Sequence, residues 1–160
     1  MNWNSINKKL LAKCILIPLG VGALAALFTR QGMVAYQTVE QPPLSPSMWV
    51  FPVVWTILYV LMGIASYLVY TSGAEEENIS RAISVYGAQL AVNFLWPTFF
   101  FNFQWYLFSF FWLLLLWVLV FITIRQFYDI RKWAGYLMIP YLIWLTFAAY
   151  LNLGVWWLNR

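Results

Sequence analysis

The chain has 160 residues, of which 64% are hydrophobic and only 9% charged, and its mean hydropathy is +0.74. A soluble domain carries about a quarter charged residues, so this composition excludes one and defines an integral membrane protein. The net charge of +4 gives no reason to expect a nucleic-acid partner, because the basic residues are distributed by membrane topology, as shown below. There is no histidine, which excludes histidine-ligated haem, a histidine zinc site and a Ser-His-Asp triad. Cys14 is the single cysteine, so no intramolecular disulfide can form.

Five apolar stretches predict an all-α membrane protein, a single domain of five transmembrane helices over residues 1–160. They are Leu10–Phe28, Trp49–Tyr70, Ala82–Phe101, Trp105–Ile124 and Trp133–Leu158. Each is near or above the ~20 residues that span a bilayer as helix. Met1–Lys9 is polar and ends in a basic pair. Ala23-Leu24-Ala25 resembles a signal-peptide cleavage site, but the apolar stretch exceeds the usual core of ~7–15 residues, so a retained helix is expected. Pro18, Gly20 and Gly22 favour close approach of another helix.

Thr29–Met48 is the longest connection and contains Pro42, Pro43 and Pro46. It reads either as a lid or as a plain surface loop. The second helix begins with Pro52 in its first turn, where proline is tolerated, and Trp55, Tyr59 and Met62 share a face. Trp49, at the helix end, has the position of an interfacial anchor. Thr71–Ser80, with Glu75-Glu76-Glu77, reads as a solvated loop with only weak metal-binding character.

The third stretch is unusual. Gln89, Asn93 and Trp96 are spaced four and three apart, which places two amides and an indole on one helix face. Pro97 follows, and a proline there leaves the Asn93 carbonyl without its helical donor. Amides are costly in lipid, so this face is expected to look into protein or a cavity. Asn93 itself is open to two readings, helix–helix packing or ligand recognition. Asn102–Gln104 reads as a tight turn. The fourth helix is apolar all round, which suits a lipid-facing or dimer-facing helix better than a pocket wall. Arg125–Lys132 reads as a short basic loop. In the last helix Trp144, Ala148 and Asn152 repeat at four residues and share a face, while Trp156, Trp157 and Arg160 read as interface anchors.

The polar inventory inside the spans is thus small: Gln89, Asn93, Asn152 and the polar tips of Trp and Tyr. It contains no carboxylate pair, no lysine and no arginine ladder, which argues against a proton pump, a voltage sensor or ordinary acid–base hydrolysis. Such a lining suits a flat, largely apolar ligand with a few acceptors.

In VWTILYVLMGIASYLVY (Val54–Tyr70), QLAVNFLWPTFFF (Gln89–Phe101) and PYLIWLTFAAYLN (Pro140–Asn152) the chain resembles the translocator proteins, also called tryptophan-rich sensory proteins or peripheral-type benzodiazepine receptors. The resemblance runs through nearly the whole chain. It implies a five-helix bundle, usually a homodimer, with a pocket beneath the first loop. It also implies porphyrin as ligand, with no cofactor required, and in some members sterols or benzodiazepine-type ligands. Carried across by position, the pocket would include Trp49, Phe51, Trp55, Gln89, Asn93, Trp96, Trp144, Ala148 and Asn152. The first loop departs from the family pattern: Ala35 and Leu44 stand where tryptophans are common, Gln41 replaces a basic residue and Ser47 a proline. The sterol motif is not matched around Tyr150, since Arg160 is ten residues on. Three functions stay open: a tetrapyrrole-binding protein or sensor, a light-dependent porphyrin-degrading activity, and a transporter of porphyrin or another apolar solute. No inverted repeat is visible, which disfavours the usual secondary transporter.

With five spans, Lys8, Lys9, Lys13, Arg81, Arg125, Arg131 and Lys132 fall on one side, and Arg30 and Arg160 on the other. The positive-inside rule then puts the N-terminus in the cytoplasm, in what is expected to be a bacterial cell membrane. A reporter fused after Arg160 should therefore be active only on the extracytoplasmic side; activity confined to the cytoplasm would reverse the orientation.

Overall fold

The computed structural model describes residues 5–160, so Met1–Asn4 of the polar N-terminal segment lie outside the described residues. Among them all regular structure is helical: α1 (Lys8–Phe28), α2 (Arg30–Tyr36), α3 (Val50–Tyr70), α4 (Glu76–Pro97), α5 (Tyr106–Ile130) and α6 (Lys132–Leu158), with a π-helical turn at Thr98–Asn102. Four of these, α1, α3, α5 and α6, are long and apolar enough to cross a membrane. The third long helix in chain order, α4, is not among them, because it opens on polar residues and carries Gln89 and Asn93 in its body.

The long helices form a ring in which α1 packs on α3, α3 on α6, α6 on α5, α5 on α4, and α4 back on α1. Long-range hydrogen bonds define its two ends. At one end the Asn7 N–H donates to the Tyr67 hydroxyl, tying the start of α1 to the end of α3. At the other, Asn102 Nδ2 donates to the Phe28 carbonyl and Asn152 Nδ2 to the Tyr106 carbonyl. The end of α1, the start of α3, the end of α4, the start of α5 and the end of α6 therefore gather at one end, below called the roof end. Of the basic residues only Arg30 and Arg160 belong to it.

Close approach of α1 to α3 depends on Gly63. A Cβ there would run into the Ile15 Cα and the Cys14 carbonyl. Gly22, on the opposite face of the same contact, makes room for the Tyr59 ring. Small residues thus replace side-chain interdigitation with backbone contact, the usual means of helix association in lipid.

Several local boundaries differ from the sequence expectations. Glu76 and Glu77 form the first turn of α4 and are not a loop, because negative side chains favour the positive end of the helix dipole. Arg81 then pairs with Glu77 at 2.9 Å, one turn along an exposed face. No group of three metal-ligating side chains exists among the described residues. Arg125–Ile130 continues α5, and a single extended residue, Arg131, separates it from α6. The long connection contains α2, which sequence pattern had not separated from the loop. Pro97 is followed by the π-helical turn, in which the Phe103 N–H reaches back five residues to the Thr98 carbonyl at 3.0 Å. Gln104, at φ 56°, completes the reversal into α5.

Gly63→Val should lower the melting temperature in detergent, since overpacking of this kind costs about 1–3 kcal/mol. Gly20→Ala, where an added Cβ meets nothing within 4 Å, should leave it unchanged or raise it. Equal melting for both variants would contradict the α1–α3 contact.

Candidate functional site

The site is built from one proline-broken helix and the faces turned toward it. On α4 the buried amides Gln89 and Asn93 point inward, away from lipid. The Tyr59 hydroxyl donates to Asn93 Oδ1 at 2.8 Å, and Asn93 Nδ2 donates to the Tyr141 hydroxyl at 2.6 Å. The Tyr141 hydroxyl donates in turn to Gln89 Oε1 at 2.9 Å, and Gln89 Nε2 lies 3.9 Å from the Met62 sulfur. One continuous chain of polar groups therefore joins α3, α4 and α6. One turn further along α4, Trp96 Nε1 donates to Asn152 Oδ1 at 3.1 Å. Asn152 Nδ2 passes the chain to the Tyr106 carbonyl of α5 at 2.7 Å.

Between this polar floor and the roof end lies a cavity of about 440 Å³, within the ~300–1,000 Å³ range of small-molecule sites. Its walls are mostly aromatic and small. Trp55 stacks on Tyr59 with centroids 5.5 Å apart, Phe51 meets Trp144 edge-on at 6.0 Å, and Trp96 stacks on Phe100 at 4.9 Å. α1 contributes Gly22, Ala23, Ala25 and Ala26, whose small side chains leave the space open. Thr29, Met33 and Tyr36 of the α1–α2 segment and Met48 close the top. Burial pushes the Tyr36 hydroxyl up to about 12, so this side chain brings no charge to the cavity at physiological pH. Among the described residues no charged side chain lines the cavity. The Trp144 indole N–H is buried within the protein and has no hydrogen-bond partner among the described residues.

The roof is strapped to α6. The Glu40 N–H donates to Asn159 Oδ1 at 3.1 Å, while Asn159 Nδ2 donates to the Glu40 carbonyl at 2.8 Å. The Tyr150 hydroxyl donates to the Pro43 carbonyl at 2.8 Å. Gly154 admits Pro42, whose ring atoms would lie 2.6 Å from an added Cβ.

Seven of the nine residues singled out from the sequence line this cavity: Phe51, Trp55, Asn93, Trp96, Trp144, Ala148 and Asn152. Gln89 does not. It lies fully buried one turn below Asn93, inside the polar chain. Trp49 does not either, being 69% exposed at the start of α3. Tyr59 was findable, since it lies one turn from Trp55 on the same face. Tyr36 and Phe100 were not, because they reach the cavity through the roof segment and the π-helical turn. The expectation for the fourth helix also changes: α5 gives Leu113 and Leu116 to the wall, since a helix apolar on every side can serve lipid and cavity at once.

The fold and this site define a multi-pass helical membrane protein with an internal, uncharged, aromatic cavity. Residues 14–158 match the model of the TspO/MBR family. The chain is 35% identical over 157 residues to the Tryptophan-rich protein TspO of Chlorobaculum tepidum, covering 96% of this chain and 99% of that protein. It is 38% identical over 124 residues to the Tryptophan-rich sensory protein of Cereibacter sphaeroides, covering 78% and 76% of the two chains. It is 33% identical over 147 residues to the Translocator protein of Ovis aries, covering 91% and 87%. The chain belongs to the TspO/MBR family.

Asn93 uses both ends of its amide within the protein, which alters what its loss should do. Asn93→Leu strands the Tyr59 hydroxyl and should destabilise the protein by about 1–3 kcal/mol, the cost of a buried polar group left without a partner. Melting of Asn93→Leu, Tyr141→Phe and the double variant should show non-additive losses; additive ones would mean that the chain is not energetically connected.

Proposed function

We propose that the cavity binds a tetrapyrrole of the porphyrin type, and that the protein acts as a binding or sensory protein for it. The observation that carries this reading is the cavity wall: flat aromatic surfaces, with no charged side chain among the described lining residues. A planar conjugated ring gains offset-stacking energy of about 0.5–1.5 kcal/mol per aromatic contact beyond burial. With no cation in the lining, the carboxylates of a porphyrin would remain at the roof end, where Arg30 starts α2 next to the cavity residue Thr29. Phe51, Trp55, Trp96, Trp144 and Ala148 are the proposed contact residues, with Asn93 and Asn152 holding the floor. Gln89 would act through the polar chain, and Trp49 would contact the membrane interface. The name of the Cereibacter relative, a sensory protein, is consistent with this role.

The same reading takes α4 as a fifth membrane span. Its amides are turned inward and bonded, so its lipid-facing side is less polar than its sequence. The protein would then lie in a bacterial cell membrane with the N-terminus in the cytoplasm, since of the described basic residues Arg30 and Arg160 alone belong to the roof end. A homodimer is also part of the reading. Ser84, Gly87, Ala88 and Ala91 form an exposed strip of small residues on α4, and a Cβ on Gly87 would meet nothing within 4 Å. Close helix packing in lipid uses such strips.

Titration of the purified protein in detergent with protoporphyrin IX, read by tryptophan quenching, tests the ligand. Trp96→Ala and Trp144→Ala should weaken binding by about tenfold or more, the ~1.4 kcal/mol of one good contact. Trp157→Ala should not, because Trp157 lies outside the cavity lining at the end of α6, with the Arg160 guanidinium 3.5 Å from its ring centre. Equal affinities across the three would remove the cavity from consideration. Following absorbance under light after binding separates a degrading activity from binding alone.

A further inference from the structure

The cavity has a mouth on the outer face of the bundle, between α1 and α3. Four of the lining residues are exposed: Ala23 and Ala26 of α1, and Pro52 and Thr56 of α3. All four stand on the two helices that meet at one side of the ring. The rest of the lining is buried or half-buried, with Thr29, Tyr36 and Phe100 at the roof end exposed by 4% or less.

The surroundings of the mouth are hydrocarbon-like. Leu24 and Leu27 on α1 and Val53 and Ile57 on α3 flank it, all between 48% and 64% exposed. The single polar side chain at the rim, Thr56, donates its hydroxyl to the Pro52 carbonyl at 2.6 Å and so shows lipid no free donor. Depth agrees. Ala23 precedes the end of α1 at Phe28 by five residues, and Thr56 follows the start of α3 at Val50 by six. At 1.5 Å per residue these two lie roughly 7–9 Å from the helix ends and Ala26 and Pro52 roughly 3 Å, so the mouth runs down the side of the bundle from just below the roof end. The aqueous alternative is obstructed, because Asn159, Tyr150 and Gly154 strap the roof segment to α6.

We propose that ligand is loaded sideways from the lipid phase, through a portal between α1 and α3 rimmed by Ala23, Ala26, Pro52 and Thr56. The inference rests on the tetrapyrrole-binding reading and adds the phase from which the ligand comes. Small side chains at Ala23 and Ala26 keep the portal wide enough for an edge-on planar ring. The substrate pool is thus a membrane-dissolved apolar molecule, and the roof serves as a fixed lid.

The test uses the full chain in proteoliposomes whose lipid carries protoporphyrin IX, with uptake and release followed by the tetrapyrrole's own spectrum. The double variant Ala23→Phe/Ala26→Phe should slow dissociation as well as association by about tenfold; loss of cavity space alone would instead speed dissociation, so slowed release marks a blocked route and accelerated release counts against the portal. Asn159→Ala/Tyr150→Phe, which frees the roof, should leave both rates as in the parent chain. Should the bulky pair depress folding, Ala26→Cys in a Cys14→Ser background can be blocked after purification with a bulky thiosulfonate reagent and restored by reduction. Slow exchange that recovers on reduction supports the portal. Unchanged rates in the blocked forms, or acceleration on freeing the roof, overturn it. A parent chain that takes up no tetrapyrrole in either detergent or liposomes overturns the binding reading and the portal together, whereas normal uptake with no effect of the block overturns the portal alone.

Discussion

The arrangement of this bundle depends on the buried chain of hydrogen bonds from Tyr59 through Asn93 and Tyr141 to Gln89. An amide left unpaired in an apolar surrounding costs roughly 2–7 kcal/mol, depending on the reference state. Here each group finds a partner on a different helix, so α3, α4 and α6 are held in one rotational setting. Two phenols supply those partners because they reach further than the amides. The same reach keeps the helices apart above them, and the cavity occupies that gap.

The remaining walls follow from what each helix can offer in lipid. α1 brings alanines and glycine, and therefore neither fills the gap nor seals it. α5 brings leucines and a close-packed back wall, with Leu113 and Leu116 each 1% exposed. α6 brings Trp144 and Asn152 on the same stripe, one half aromatic wall and one half hydrogen-bonded support. Charge is absent throughout, so specificity within the cavity must come from shape and from a few oriented dipoles.

How much of this was legible in the sequence differs by level. Helix identity was legible because apolar runs of bilayer length have few other solutions. Faces were legible too: Gln89, Asn93 and Trp96, and separately Trp144, Ala148 and Asn152, repeat at helical spacing. Depth was not, because periodicity gives an angle around the axis and no height along it. Gln89 and Asn93 differ by one turn, roughly 6 Å of rise, which is enough to put one in the floor and the other at the cavity. Helix starts were misjudged where charge was taken to mean loop, as at Glu76 and Glu77. Partners were invisible for the reason that Tyr59 and Tyr141 are distant in sequence from the amides they serve.

The wide turn after Pro97 has a consequence for sequence length. A π-helical turn holds one residue more than an α-helical turn would accommodate in the same place. Each residue advances the side chains by about 100° around a helix axis. The surplus residue is what lets Phe100 stack on Trp96 while Phe101 meets both Trp96 and Tyr36. A chain one residue shorter between Pro97 and Trp105 would keep its helices and its hydropathy, yet would swing that pair of rings away from the indole. Chain length across this short interval therefore acts as a geometric setting for the top of the cavity, and relatives that differ there by a single residue should differ in cavity shape even where every lining residue is the same.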